Sequence, residues 1–220
     1  MPAAAGDTVA VRVTRWPSST VPDGAEGSTF IAELMDGKRS RHDYAALAGQ
    51  QYFVYEALER VADTLMDDPV VAPFAAPELA RLAEIDADLQ FLVGADWRAS
   101  VVALPATLRY AERIRETAEW PGGFLAHHYT RYLGDLSGGQ IIRTLLQRQF
   151  GFDADGVRFY RFAGIPKSKP FKDAYRAKLD SVPLSAEERE RVVDEVASAF
   201  DLNAAMFADL ERATTGQFSG

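Results

Sequence analysis

The chain has 220 residues, 47% of them hydrophobic, which suffices for one sizeable core in a single domain. A net charge of -8 at pH 7 excludes general nucleic-acid binding through a basic face, and the absence of cysteine excludes disulfides, thiolate metal sites and cysteine nucleophiles. No membrane-length apolar run occurs and Met1 to Asp7 carries no basic-then-apolar pattern, so a soluble cytoplasmic protein without a membrane span is expected.

In chain order, the stretch Trp16 to Gly24 includes Pro17 and Pro22, so residues 1–24 read as an irregular arm. A helical domain over 25–213 follows, with 214–220 expected as a flexible tail. Phe30, Ile31, Leu34 and Met35 predict a short helix that stops at Gly37. Ser40 with Asp43 resembles a capping box, and Tyr44, Leu47, Gln51, Val54, Tyr55 and Leu58 continue one stripe toward Met66. Pro73 and Pro77 punctuate the next connection. Leu79, Leu82, Ile85, Leu89 and Leu92 then keep helical spacing until Gly94. Pro105 suits a helix start before Leu108 and Ile114, with a stop expected at Pro121-Gly122-Gly123. One glycine-bearing helix is expected from there to about Phe150. Residues 151–168 read as an irregular connection, 171–179 as a helix, and Ser185 with Glu188 as a second capping box opening a last helix through Leu210. No alternating strand pattern or internal repeat occurs, so the fold class is all-α.

The segment Tyr129-Thr130-Arg131-Tyr132-Leu133-Gly134-Asp135-Leu136-Ser137-Gly138-Gly139-Gln140 is the most informative in the chain. Each glycine inside a helix gives up roughly 1 kcal/mol relative to alanine, so three so close together need a reason in packing or function. One reason is a kinked helix lying across a planar ligand, with Asp135 presented beside it. The other is tight helix-to-helix packing at small residues. Spacing alone does not separate them.

That segment, together with Tyr52 to Glu59, Lys169 to Arg176, and Phe200 to Phe207, resembles the biliverdin-producing heme oxygenases, particularly the bacterial ones. The resemblance runs from about Ala25 to Glu211 in order and spacing. It implies a multi-helical single domain that sandwiches heme between a proximal N-terminal helix and a kinked distal helix. It also implies cleavage of heme to biliverdin, carbon monoxide and ferrous iron, with dioxygen and with electrons from a reductase or ferredoxin. Carried over by position, Gly134 and Gly138 become the backbone against the heme face. Asp135 becomes the distal carboxylate that orders water for proton delivery, supported by Tyr55, Arg131 and Asn203. Tyr129, Lys172 and Arg176 become contacts to the heme propionates, and Phe200 and Phe207 become aromatic walls.

Without the resemblance, several of these residues have plainer readings. Lys172 and Arg176 would be one solvated helix face, and Tyr55, Phe200 and Phe207 would be core. His127 and His128 are adjacent, so their side chains diverge by about 100° on a helix and at best one faces the core. His42 is expected in the exposed first turn of its helix. One position departs from the family pattern. The family's proximal histidine lies eight residues before the phenylalanine matching Phe30, and here that residue is Pro22, which leaves the iron ligand unassigned. Retention of Asp135, Arg131 and Tyr55 favours an enzyme, while loss of the histidine favours a non-catalytic heme or tetrapyrrole binder. A purely structural helical protein would leave the glycine-and-aspartate string unexplained.

Overall fold

The computed structural model describes residues 29–215. The arm over 1–24, Pro22 included, lies outside the described residues. Among the described residues every regular element is helical. Helix α1 spans Thr29–Met35 and buries Phe30, Ile31 and Leu34. It ends at Gly37, whose φ of 73° is the left-handed conformation that glycine adopts without steric cost. Helix α2, Arg41–Thr64, opens on the expected capping box: the Asp43 N–H donates to Ser40 Oγ at 3.1 Å and the Ser40 N–H returns to Asp43 Oδ2 at 2.9 Å. Its buried stripe includes Tyr44, Leu47, Gln51, Val54, Tyr55 and Leu58.

Two short 3₁₀ turns, Ala72–Phe74 and Pro77–Leu79, lead into α3 (Leu82–Leu92) and the single turn α4 (Trp97–Ser100). Helix α5, Pro105–Glu116, starts on its proline as expected. It buries Tyr110, Ala111 and Ile114, whereas Leu108 faces out.

Pro121-Gly122-Gly123 begins a helix rather than ending one. Pro121 is the first residue of α6 (Pro121–Asp135), where its missing N–H costs nothing. A Cβ on Gly123 would come within 2.2 Å of the Trp120 ring, and one on Gly122 within 2.8 Å of Val192, so packing explains both glycines. The expected single helix to Phe150 is two, α6 and α7 (Gly139–Phe150), joined by the turn at residues 136–138. Helix α7 ends on Gly151, again left-handed at φ 70°.

The irregular segment after it holds one 3₁₀ turn, Arg158–Tyr160, followed by α8 (Ser168–Asp180) and the 30-residue α9 (Ala186–Thr215). Only half of the second capping box forms. The Glu188 N–H donates to Ser185 Oγ, but the Glu188 carboxylate instead accepts from Trp120 Nε1 and Arg191. Residues 214 and 215 belong to α9 rather than to a tail, because buried Thr214 accepts from Arg39 at 2.8 Å.

Helix α2 packs on α3 and α5, while α9 packs on α5, α6 and α1. Helix α6 is therefore enclosed, with residues 122–133 all buried. Both adjacent histidines are buried as a result, contrary to the expectation of at most one. His127 Nε2 meets Glu195 Oε1 at 2.8 Å on α9, and His128 Nδ1 meets the Tyr175 hydroxyl at 2.7 Å on α8. Burial pushes the His128 imidazole down to about 3, which keeps it neutral. His42 is exposed, as expected. No helix among the described residues is long and apolar enough to cross a membrane.

Candidate functional site

Helix α1, the α6–α7 junction, the middle of α2 and the face of α9 enclose a cavity of ≈ 580 Å³, within the range of pockets that hold organic ligands. Gly134 and Gly138 form part of its surface. A Cβ built on Gly134 would meet nothing within 4 Å, and one on Gly138 only the Gly134 carbonyl at 3.8 Å. Tight helix packing thus does not account for these two glycines. It does account for Gly139, whose Cβ would come within 2.8 Å of the Tyr160 ring.

Asp135 lines the same cavity as the last residue of α6. The Tyr55 hydroxyl donates to its Oδ2, and Arg131, one turn earlier, brings Nη2 to 3.9 Å from that oxygen. Arg131 Nη1 donates to Asn203 Oδ1 at 2.6 Å, and the guanidinium lies over the Tyr55 ring at 5.2 Å. The four residues expected to do chemistry therefore form one connected network drawn from α2, α6 and α9. Burial raises the Asp135 carboxyl above its ordinary value, opposed by the Arg131 charge and the Tyr55 hydrogen bond. Burial raises the Tyr55 phenol further, so it stays a donor.

Phe200 and Phe207 line the cavity from α9. Tyr129, Lys172 and Arg176 are not among its lining residues. Lys172 Nζ instead donates to Ser137 Oγ at 2.7 Å, which places it at the α6–α7 turn. Burial raises the Tyr129 phenol while Arg176 opposes the shift, so those two neighbour each other. Arg176 also pairs with Asp173 at 3.5 Å.

Several polar residues that sequence reasoning did not assign join the site, and three of them bear on its hydrogen bonding. Gln51 and Tyr160 line the cavity. Tyr110 lies fully buried close enough to Arg131 and Asp135 to feel both charges. Gln51 had a signal, as an amide in an apolar stripe, whereas Tyr160 sits in a segment without periodicity. The Tyr110 hydroxyl, Arg131 Nε and Arg131 Nη2 are buried without a hydrogen-bond partner among the described residues. Unpartnered donors beside a carboxylate suit ordered water or a polar ligand atom. Bare backbone on one side, aromatic walls and a hydrogen-bonded carboxylate fit a flat cofactor such as heme. A second groove of ≈ 650 Å³ between the start of α2 and the end of α9 has no acidic residue in its lining. Among the described residues no cluster of histidine and carboxylate side chains could hold a metal ion.

An all-helical domain with a cofactor-sized cleft between its first helix and a glycine-bearing helix pair is the class that fold and site define. The heme oxygenase family profile matches residues 15–209. Heme oxygenase 1 of Synechocystis sp. is 39% identical over 188 residues, covering 85% of this chain and 78% of that protein. The Takifugu rubripes heme oxygenase is 40% identical over 191 residues, covering 86% and 69%. The crystal structure of Synechocystis heme oxygenase-1 in complex with heme superposes with a TM-score of 0.79 at 36% identity, covering 87% of this chain and 89% of that one. The Leptospira interrogans heme oxygenase also gives 0.79 at 35% identity, covering 84% and 91%. The chain belongs to the heme oxygenase family, and its place there is that of an enzyme rather than of a non-catalytic binder.

Proposed function

We propose that this protein binds heme in the 580 Å³ cavity and cleaves it with dioxygen and reductant to biliverdin, carbon monoxide and ferrous iron. The observation that carries this reading is the pairing of Gly134 and Gly138, open to the cavity, with Asp135 held between them by Tyr55 and Arg131. Heme, when bound, supplies the iron at which dioxygen is reduced and the ring that is opened.

The protein's own part is binding, orientation and proton delivery. Gly134 and Gly138 let the ring approach the α6–α7 backbone, and Phe200 and Phe207 wall it in. Asp135, its carboxyl raised by burial, exchanges a proton with ordered water, while Tyr55 and Arg131 fix where that carboxylate points. Asn203 holds Arg131 in turn. Lys172 at the α6–α7 turn, with Arg176 and Tyr129 as neighbours of each other, supplies cations and a phenol that suit heme propionates. Electrons come from an external reductase or ferredoxin, and the setting is the cytoplasm. The proximal iron ligand is unassigned, since Pro22 offers no donor atom.

The test is titration of the purified protein with heme, followed by addition of reductant and dioxygen. A stoichiometric heme spectrum that converts to biliverdin is expected in the native protein, and Asp135→Ala should take up heme with little product. No heme uptake, or wild-type yield from Asp135→Ala, would sink the reading.

A further inference from the structure

The cavity wall carries a polar pair that the Tyr55, Asp135, Arg131 and Asn203 network does not use. Among apolar neighbours such as Ile31, Leu47 and Ile142, Gln51 and Tyr160 are polar members of the cavity lining. They are only 5% and 1% exposed, so their polar groups depend on partners inside the protein. Gln51 Nε2 donates to the Tyr160 hydroxyl oxygen at 3.5 Å. The phenol accepts in that bond and keeps its own proton, because burial, then the Asp135 charge, push its ionisation up.

The Tyr160 ring has little freedom. Gly139 closes on one edge, since any Cβ there would meet Cδ1 at 2.8 Å, and the Phe159 ring stands edge-on with centroids 4.7 Å apart. The Tyr160 carbonyl accepts from Gln140 Nε2 at 2.6 Å. Buried Asp88 on α3 anchors the whole turn, accepting from the N–H of Arg158 at 3.0 Å and of Phe159 at 2.8 Å. On α2, Gln51 lies one helical turn before Tyr55, so the helix presents two polar stations on one face. On the other wall Gly139 lies one turn after Asp135, and the Asp135 Cβ is 3.7 Å from where a Gly139 Cβ would stand. A confined tyrosine, one hydroxyl lone pair taken by Gln51 and the proton left to donate, thus lines the same cavity as Asp135.

We propose that Tyr160, oriented by Gln51, is a positioning residue that donates a hydrogen bond to one ordered water in the cavity, extending the Asp135 proton relay inward toward α2. The inference rests on the heme oxygenation reading of this cavity. A merely structural role would make the Gln51 to Tyr160 bond a tie between α2 and the 158–160 turn, felt in stability alone.

Tyr160→Phe keeps the ring against Gly139 and removes only the oxygen, while Gln51→Leu removes the orienting donor. A high-resolution crystal structure of the heme-free protein should show a water about 2.7 to 3.0 Å from the Tyr160 hydroxyl, missing in Tyr160→Phe. In heme-loaded protein both variants are compared at saturating heme, so that any change in affinity is kept apart from turnover. Biliverdin formed per dioxygen consumed should fall roughly fivefold in Tyr160→Phe, the scale of one lost hydrogen bond, and in the same direction in Gln51→Leu. Absence of that water in the native crystal, or wild-type product ratios in both variants, overturns the proposal. Failure of the native protein to take up heme would overturn the heme reading instead, with the heme-free crystals still reporting on Tyr160.

Discussion

The Tyr55 hydroxyl donates to the Asp135 carboxylate, tying the buried face of α2 to the last residue of α6. The Tyr55 ring itself is held by edge contacts with Tyr132 at 5.4 Å and Phe159 at 5.2 Å, so the donor is fixed before any ligand arrives. The carboxylate gains direction, and its charged form gains a hydrogen bond that opposes the cost of burial.

Tyr55→Phe preserves the ring packing and removes that bond. The protein should stay folded, losing about 1 kcal/mol, and Asp135 should titrate at still higher pH because one of the groups favouring its charged form is gone. The acid limb of the biliverdin-forming rate should therefore move upward in pH relative to wild type. A pH–rate profile superposable on wild type would detach Tyr55 from Asp135.

Glu195 on α9 joins three helices, accepting from Arg113 Nε at 2.8 Å and Nη2 at 2.6 Å on α5 and meeting His127 Nε2 at 2.8 Å on α6. Burial alone would raise its carboxyl, but the hydrogen bonds from His127 and Arg113 hold it down at about 2. Between that value and the ordinary 4.5 the folded state binds fewer protons than the unfolded state, so stability rises with pH through this window. The contribution is fully present above 4.5 and is lost as pH falls toward 2, at most about 3 kcal/mol. Denaturant midpoints measured from pH 6 to pH 2.5 should fall more steeply for wild type than for Glu195→Gln. Parallel curves would remove Glu195 from the acid response.

Local signals in the sequence read through to the structure where the cause is local. Ser40 and Asp43 cap α2 by themselves, Pro105 suits only the start of α5, and Gly37 ends α1 through its own backbone. Asp135, Arg131, Tyr55 and Asn203 were legible as a set through family resemblance, and they converge on one network. What local reasoning missed was set by partners far along the chain. Gly122 and Gly123 look like helix breakers until Val192 and Trp120 occupy the space a side chain would need. Glu188 fits a capping box until Trp120 Nε1 claims its carboxylate. His127 and His128 both turn inward because Glu195 on α9 and Tyr175 on α8 meet two different flanks of α6, which no 3.6-residue pattern reveals.

Pro22→His introduces the one donor that the family pattern places eight residues before Phe30. Heme added to the unmodified protein should give a ferrous carbon-monoxide spectrum without a neutral-histidine signature and slow biliverdin formation. Pro22→His should change that spectrum and raise the rate only in part, because Pro17 and Gly24 remain unfavourable for a helix. A histidine-type spectrum with rapid turnover in the unmodified protein would mean that the ligand comes from elsewhere in the chain.

The three glycines at the α6–α7 junction separate packing from ligand binding by experiment. Gly134 and Gly138 face open space, so alanine at either should leave the heme-free fold intact, and at Gly134, inside α6, it should stabilise by up to about 1 kcal/mol through helix propensity. Gly139 faces the Tyr160 ring at 2.8 Å, that ring packs on Phe159, and Gln140 holds the Tyr160 carbonyl, so Gly139→Ala should destabilise by about 1 to 3 kcal/mol. Heme affinity should follow a different order from stability. Gly134→Leu and Gly138→Leu fill the cavity without touching the protein core, and each should weaken heme binding by about tenfold or more at unchanged thermal midpoint, the equivalent of about 1.4 kcal/mol. Thermal melts of heme-free variants paired with heme titrations measure both orders. If the leucine variants lose stability while heme affinity is spared, these two glycines serve packing after all, and the ligand lies somewhere other than against the α6–α7 backbone.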